Sequence, residues 1–428
     1  MKKMTRILSF LLAVLLLLGL MGCGENPAET TQQTQQTTQA TEPTEKELTP
    51  EEKILAERRD TVEQYMRDMA TVRWKSDVDI TYTLRVSSGT LHIKAGRIYQ
   101  GLPYSFAAST TDSFLEFAGE PDENGVYTIS GLQADALSGG GEVLAWNEYK
   151  NARIGNACSS AVMLAWSQVS DTVTATGNTQ MYPQYGILPV GDYKLEVEGE
   201  KLSNTLEVIA KNGKEKMYES YAQLQKGDAV IRVSKGDHSC LVTDVEVFYN
   251  EDGSVNPTKS RFHMLEQTRN LMRAQALDDE INDKVYPIYR VDTAYTFSMA
   301  VSQGYIPVTI KELQDASYTP AEPTITDTET EFNKDTLLAG TISCNWMYDR
   351  ITLTITDETG AEVQKITART DRYSMKDFVM ERFVTDLPST MIGSLDLDAL
   401  EAGNYHCTVV CLLTNGQEVT ARDFDFTV

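Results

Sequence analysis

The chain contains few of the side chains that act most often as nucleophiles or bases. Its 428 residues include only 6 cysteines and 4 histidines. Apart from one cysteine near the N-terminus, the cysteines are Cys158, Cys240, Cys344, Cys407 and Cys411. An odd number without regular spacing does not fit a disulfide scaffold, so at least one thiol stays free or pairs with another molecule.

Positive charge is also scarce. There are 38 lysines and arginines against 62 aspartates and glutamates, which gives a formal net charge of -24. This balance excludes a basic surface of the kind that binds nucleic acid or anionic lipid headgroups. The length suits two globular units, at roughly 100–200 residues per domain.

A long hydrophobic run occurs at the N-terminus, where residues 7–20 follow the basic stretch "KKMTR". This run is too short to span a bilayer comfortably and is followed by "LMGCG". A small residue before a cysteine in this setting resembles the lipobox of bacterial lipoproteins. The resemblance implies that residues 1–22 are a signal peptide, that Cys23 is lipidated, and that the protein is extracytoplasmic and membrane-anchored. An ordinary secretory signal that is cut elsewhere is the alternative.

Residues 23–48 are polar, rich in Thr and Gln and without aromatic residues, which predicts a disordered tether. Residues 49–76 then predict an amphipathic helix that docks on the folded body. Thr49 is placed to cap this helix, Pro50 suits its first position, and Glu52 completes a capping box.

Residues 77–317 mix helical and strand patterns, which predicts an α+β domain. "CSSAVMLAWSQV" and "KMYESYAQL" predict helices, the first with one apolar side. "VDITYTLRV", "TLHIK", "AVIRV", "CLVTDVEVFY" and "SRFHMLEQ" predict strands. The polar, Gly- and Pro-punctuated stretch from Thr172 to Gly191 predicts a long loop.

Residues 318–428 predict a second, all-β domain. The Pro/Thr/Glu-rich stretch "SYTPAEPTITDTETE" marks the boundary, and Asn415-Gly416 is a hairpin signal. "LEAGNYHC" resembles the corner segment of immunoglobulin-like and fibronectin type III sandwiches, so the domain is expected to be a β-sandwich. Its cysteines are expected in the core, and a bridge from Cys344 to Cys407 or Cys411 stays open.

Cys158, in "GNACSSAVMLAW", lies where a helix is predicted to begin. A nucleophilic cysteine needs a stabilised thiolate, a base within reach, and a group that orients the base. The positive end of a helix favours the thiolate, and the backbone N–H of the cysteine can face an oxyanion. We expect Asn156 to cap this helix and Cys158 to lie in its first turn.

The four histidines are the candidates for the base. His92 lies in a predicted hairpin, His406 in the sandwich, and His238 and His263 on strands. The motifs "GLPYS", "ACSSAV", "LQKGDAV", "GDHSCLV" and "LEQ" occur in the order that the NlpC-type and CHAP-type papain-like cysteine hydrolases of bacterial cell walls show. The chain resembles these families over roughly residues 96 to 310, which implies a papain-like catalytic domain.

The resemblance implies a role for each matching residue. Cys158 is the nucleophile, His238 the general base and then acid, and Glu266 the group that fixes the imidazole tautomer, with Gln267 as the alternative. Tyr104 lines the site and helps to bind the oxyanion. The chain between Cys158 and His238 is longer than compact members need, so we expect an insertion around Thr172–Gly213 to loop out.

The sequence therefore predicts an extracytoplasmic, membrane-anchored thiol hydrolase that cleaves amide bonds, with peptidoglycan or a peptide as substrate and without a cofactor or metal. Three alternatives remain. One is a zinc site made of Cys158, His238 and Cys240, although paired close-spaced ligands are few. Another is an inactive surface lipoprotein that acts in adhesion or wall binding. The third is a transglutaminase- or acyltransferase-like use of the same triad.

Overall fold

The computed structural model describes residues 48–83, 90–105, 107–131, 133, 134, 137, 154–175, 177–234, 236–271, 284–369, 376–385 and 391–428. The predicted signal peptide, Cys23 with its predicted lipidation, and nearly all of the predicted tether lie outside these residues. Leu48–Val428 forms one compact unit. Within the described part, no helix is both long and apolar enough to cross a membrane.

Helix α1 (Pro50–Thr71) begins as predicted. Thr49 Oγ1 accepts the backbone N–H of Glu52 at 3.2 Å, and a carboxylate oxygen of Glu52 accepts the N–H of Thr49 at 2.8 Å. Val62, Met66 and Met69 are fully buried against the body. The helix packs on the body, but it ends at Thr71 and not at Ser76 as predicted, because Arg73–Ser76 form a strand.

The rest of the body contains twelve described strands and six further helices. The strands are β1 (Arg73–Ser76), β2 (Ile80–Thr83), β3 (Thr90–Ile93), β4 (Ile98–Gln100), β5 (Val126–Ile129), β6 (Ile187–Pro189), β7 (Ala229–Arg232), β8 (His238–Glu246), β9 (Arg261–Gln267), β10 (Val285–Pro287), β11 (Tyr289–Thr296) and β12 (Ile306–Ile310). The helices are α2 (Thr111–Ala118), α3 (Cys158–Trp166), α4 (Thr205–Asn212), α5 (Lys214–Tyr221), α6 (Phe297–Gln303) and α7 (Lys311–Gln314).

The largest sheet is antiparallel, with the strand order β11-β9-β8-β7-β12-β6. Helix α3 packs on β8 and β9 of this sheet and on α1. A mixed sheet has the order β10-β4-β1-β5, and β2 pairs with β3. The molecule is thus α+β with mostly antiparallel sheets, as predicted, and the strands predicted from "AVIRV", "CLVTDVEVFY" and "SRFHMLEQ" are confirmed.

The expected cap of α3 is wrong, because Ala157 and not Asn156 is the cap residue. Cys158 is the first helical residue and so lies in the first turn, as expected. The side chain of Asn156 is buried, where Oδ1 accepts the Tyr289 hydroxyl at 2.8 Å and Nδ2 donates to the Ser109 carbonyl at 3.2 Å. Every residue of α3 is buried, so the helix has no solvent-facing side.

The segment from Thr172 to Gly213 does not loop out, and that expectation is also wrong. It contains short 3-10 turns at Asn178–Gln180 and Pro183–Tyr185, the edge strand β6, and α4. Val173, Met181 and Ile187 are fully buried in the core of the body. These apolar side chains hold the segment on the body because burying them removes their surface from water.

Residues 318–428 form two antiparallel sheets that share one hydrophobic core. The strands are β13 (Ile325–Asp327), β14 (Thr341–Cys344), β15 (Tyr348–Asp357), β16 (Glu362–Arg369), β17 (Asp377–Val379), β18 (Met391–Ser394), β19 (Asn404–Leu413) and β20 (Glu418–Thr427), with a short helix α8 (Arg382–Thr385). The sheet orders are β13-β14-β17 and β18-β16-β15-β19-β20.

Three local predictions for these residues are confirmed. Asn415 and Gly416 lie in the turn between β19 and β20, with Gly416 at φ 83°. The Tyr405 hydroxyl donates to the Glu401 carbonyl at 2.9 Å, which is the hydrogen bond of a tyrosine corner. Cys344, Cys407 and Cys411 are buried core residues with free thiols, so the disulfide that the sequence left open is not formed.

Polar side chains join the C-terminal sheets to the body. Asp349 is buried and accepts hydrogen bonds from Thr110 Oγ1 at 2.9 Å and Ser113 Oγ at 2.7 Å, both at the start of α2. Lys376 donates to the Asp171 carbonyl at 2.7 Å. The C-terminal sheets therefore contact the body through α2 and through the residues just after α3.

Candidate active site

The backbone on either side of Cys158 is held by a second segment. The N–H of Asn156 donates to the Pro103 carbonyl, and the N–H of Ser105 donates to the Asn156 carbonyl, each at 3.0 Å. Gly155 has φ 103°, and a Cβ there would lie 2.2 Å from the Pro103 oxygen, so only glycine fits. This close approach fixes where α3 begins and therefore where the sulfur of Cys158 lies.

His238 and Glu266 meet on neighbouring strands. Imidazole Nε2 of His238, at the start of β8, bonds with Oε2 of Glu266 near the end of β9. His238 also lies close enough to Cys158 for its charge and side chain to lower the pKa of the thiol. Because Nε2 is occupied by the carboxylate, Nδ1 is the ring nitrogen left for the thiol. The structure thus brings together the three residues that the sequence proposed as a triad.

The alternative third residue, Gln267, points to the opposite face of β9. Its Nε2 donates to the carbonyls of Leu102 at 2.8 Å and Pro103 at 3.2 Å. Gln267 therefore holds the segment that flanks Cys158, whereas Glu266 contacts the imidazole.

Glu266 lies in a row of side chains that crosses three strands. Arg290 on β11 pairs with it in register and donates from its guanidinium to Oε1 at 2.7 Å. Cys240 on β8 places Sγ 3.6 Å from Oε2. Only 1% of the Glu266 surface is exposed. Burial raises its pKa, but the hydrogen bond and charge of His238 and the contact with Arg290 lower that pKa to about 2.

The electrostatics favour a thiolate beside an imidazolium. Burial opposes ionisation of Cys158, yet the charge and hydrogen bond of His238 bring the pKa of this thiol from 9.0 down to about 7. Burial also opposes protonation of His238, whose pKa nevertheless lies well above 6.5 because Cys240 and Cys158 favour the charged ring. Each of the two groups of the pair thus stabilises the charged form of the other.

Four contacts of this site were missed by sequence reasoning. Asn178 Nδ2 lies 3.8 Å from the sulfur of Cys158, and Ser239 Oγ donates to Asn178 Oδ1. Arg290 holds Glu266, and the ring of Tyr305 lies edge-on to His238 with 6.5 Å between centroids. The only sequence signal for Asn178 was an Asn after a Gly in a stretch that predicted a loop.

The other predicted residues have separate surroundings. Tyr104 is buried and forms a parallel bridge with Asn156, two residues before Cys158. His263 Nε2 lies 3.0 Å from Glu246, and His92 Nδ1 lies 3.1 Å from Thr81 Oγ1. His406 Nδ1 lies 2.8 Å from Asp425. Each of these three histidines has a local partner outside the Cys158 site.

Two groups among the described residues have ligand atoms close enough to hold a metal ion. One consists of His238, Cys240 and Glu266, with the atoms within 4.8 Å of one another, and the other of Asp244, Glu246 and His263. The first contains Glu266 in place of the Cys158 of the predicted zinc alternative. The guanidinium of Arg290 on the same carboxylate opposes a cation there.

The lowered pKa of Cys158 leads to a labelling prediction. We expect iodoacetamide to alkylate Cys158 with half-maximal rate at about pH 7, because the thiolate is the reacting form. The reactive fraction is lost as pH falls through 7. The other thiols of residues 48–428 are buried with raised pKa values, about 11 for Cys240 and about 12 for Cys407 and Cys411. Peptide mapping at pH 7 should therefore find the label on Cys158, and a midpoint at or above 8.5 would contradict the ion pair.

Comparison with known proteins gives no family. No protein-family model matches this chain. No curated protein matches it either. One solved structure that matches in part is a tetra-tandem repeat in the extending region of a large adhesion protein, at 14% identity and a TM-score of 0.16. The match covers 47% of this chain and 40% of that chain, so it spans less than half of either. A TM-score this low does not bear on fold or function.

Proposed function

We propose that the protein is a thiol hydrolase that cleaves amide bonds with Cys158, His238 and Glu266. The observation that carries the proposal is the bond between His238 and Glu266 on neighbouring strands, next to a Cys158 thiol whose pKa His238 lowers. Amide cleavage by a thiol needs a nucleophile, a base in contact with it, and a third group that orients the base. The start of an α-helix packed on an antiparallel sheet that carries the base supports the papain-like fold implied by the sequence motifs.

The residues perform the reaction in two stages. The Cys158 thiolate attacks the amide carbonyl carbon, the C=O pair moves to oxygen, and His238 gives its proton to the leaving amine. His238 then takes a proton from water, whose oxygen attacks the thioester and releases the acid and the thiol. Glu266 keeps Nε2 bonded throughout, so Nδ1 faces the sulfur.

The substrate proposed from the motifs is the peptide part of peptidoglycan. Two sequence features support this substrate. The motifs occur in an order that resembles that of cell-wall hydrolases, and a lipobox-like sequence at Cys23 is followed by a polar stretch that predicts a tether. Anchored at the outer face of a membrane, the enzyme would meet wall peptides within reach of that tether.

The test is release of fragments from purified sacculi by residues 48–428, which form one compact unit. We expect soluble peptides with new amino termini from the native sequence and none above buffer from Cys158→Ala. Cys344→Ala is the matched control, because this cysteine is buried in the core of the C-terminal sheets. Equal release by Cys158→Ala and the native sequence would rule out the proposal.

A further inference from the structure

Asn178 has its side chain fixed between two groups of the site. It lies in the 3-10 turn Asn178–Gln180 and is 8% exposed. Ser239, the residue after His238, donates its hydroxyl to Asn178 Oδ1. The other end of the amide, Nδ2, then faces the sulfur of Cys158 at 3.8 Å. The strand that carries the base therefore also orients this amide.

A distance of 3.8 Å is long for a bond from an amide to sulfur. It suits a donor whose acceptor is bonded to the carbon that the sulfur attacks, as the oxygen of an attacked carbonyl is. Effective oxyanion donors lie about 2.7–3.1 Å from that oxygen. Cys158 is the first residue of α3, and the first four N–H groups of a helix have no acceptor within the helix. Its own N–H can therefore be the second donor.

We propose that Asn178 is a catalytic residue whose side-chain amide donates to the oxyanion formed when Cys158 attacks an acyl group, with Ser239 as its positioning residue. This inference rests on the proposed function, because it requires acyl transfer to Cys158. It also assigns a role to the segment between α3 and β6, because packing of this segment on the body places Asn178 beside Cys158.

A competing role for Asn178 is to stabilise the thiolate, and two reagents separate the roles. With p-nitrophenyl acetate, the thiolate attacks the acetyl carbon, an oxyanion forms, and its collapse expels p-nitrophenolate and leaves a thioester. With iodoacetamide, the thiolate displaces iodide from a saturated carbon, and no oxyanion forms. An oxyanion donor affects only the first reaction, whereas a thiolate stabiliser affects both.

The experiment measures both rates in the full chain, with Cys158→Ala as the blank. We expect Asn178→Ala to lower Cys158-dependent nitrophenolate release about 10²- to 10³-fold, the loss found for one oxyanion donor. The pH midpoint of iodoacetamide labelling should rise only slightly from about 7, because His238 lowers the pKa of the thiol more than Asn178 does, and a midpoint below 8 also reports that the ion pair and the fold are intact. Asn212→Ala is the matched control, because its amide bonds only Lys194 and Val208 and should leave both rates unchanged.

Each other outcome overturns the inference in a different way. Nitrophenolate release within about 3-fold of native in Asn178→Ala would show that its amide does not bind the oxyanion. A labelling midpoint that rises above 8, with release reduced only in proportion to the lost thiolate, would assign Asn178 to the thiolate. Equal release by the native chain and Cys158→Ala would refute acyl transfer itself, and the proposed function with it.

Discussion

Replacing His238 by alanine is expected to lower the rate of amide cleavage about 10⁴- to 10⁶-fold, the range found when the base of a catalytic triad is removed. Two losses combine. The leaving amine has no proton donor, and Cys158 loses the two largest influences that lower its pKa while it stays buried. The pKa of the thiol should then rise from about 7 to 9.0 or above. At pH 7 the thiolate fraction would fall from about one half to about one hundredth.

The fold should survive this change. The His238 side chain is 13% exposed, and Glu266 keeps its ion pair with Arg290 at 2.7 Å. His263→Ala is the matched control, since it removes an imidazole from the neighbouring strand that pairs with Glu246 in the same way. We expect that variant to react within about 2-fold of native. The measurements are turnover and the pH profile of iodoacetamide labelling. A labelling midpoint that stays near 7 in His238→Ala would show that another group stabilises the thiolate.

The sequence predicted the helix or strand on which each of these three side chains lies, because each element depends on local order. Gly155, just upstream of Cys158, has a backbone geometry that only glycine can adopt, and Cys158 itself lies at the start of an apolar helix. His238 and Glu266 lie on strands whose patterns were clear. Period-two alternation in β9 also indicated that Glu266 and Gln267 face opposite ways, and the contacts of the two side chains agree.

The contacts that sequence could not give depend on the path of the chain between elements. Asn178 reaches the sulfur because Val173 and Met181, on either side of it, are buried. The polar residues of that stretch predicted a solvent loop instead. Asn156 was misassigned for a similar reason, because a capping residue and a buried amide bonded to Tyr289 have the same local sequence. Arg290 meets Glu266 through strand register, which hydrophobic pattern alone does not specify.

Replacing Arg59 by methionine is expected to lower the free energy of unfolding by about 3–5 kcal/mol, the loss typical of a buried ion pair that keeps one charge. The guanidinium of Arg59, on α1, donates to Asp228 Oδ1 at 2.9 Å and to the carbonyls of Lys226 and Leu313, each at 2.7 Å. Asp228 is 1% exposed. Without Arg59 its carboxylate would remain buried with only the Thr309 hydroxyl and the Gln225 N–H.

The pH dependence of the free energy of unfolding distinguishes the loss of a buried ion pair from a loss of packing. Burial raises the pKa of Asp228 above its unfolded value even with Arg59 in place, and because Arg59 lowers that pKa, its removal raises the pKa further. Stability is then lost as pH rises through that pKa and regained below it. The Arg59→Met variant should therefore be destabilised more at pH 8 than at pH 4. Adding Asp228→Asn should recover part of the loss at pH 8, because no buried charge remains.

Arg67→Met on the same helix is the matched control. Its guanidinium bonds Glu63 at 2.7 Å and Asp292 at 2.8 Å, but the side chain is 30% exposed. We expect it to lower the free energy of unfolding by less than about 1 kcal/mol, as exposed pairs do. The measurement is urea unfolding followed by the fluorescence of the 4 tryptophans. One of them is Trp166, whose indole N–H bonds the Gly227 carbonyl beside Asp228 at 2.8 Å. Similar losses from Arg59→Met and Arg67→Met would mean that the buried pair does not secure the Gly227-Asp228 turn against α1.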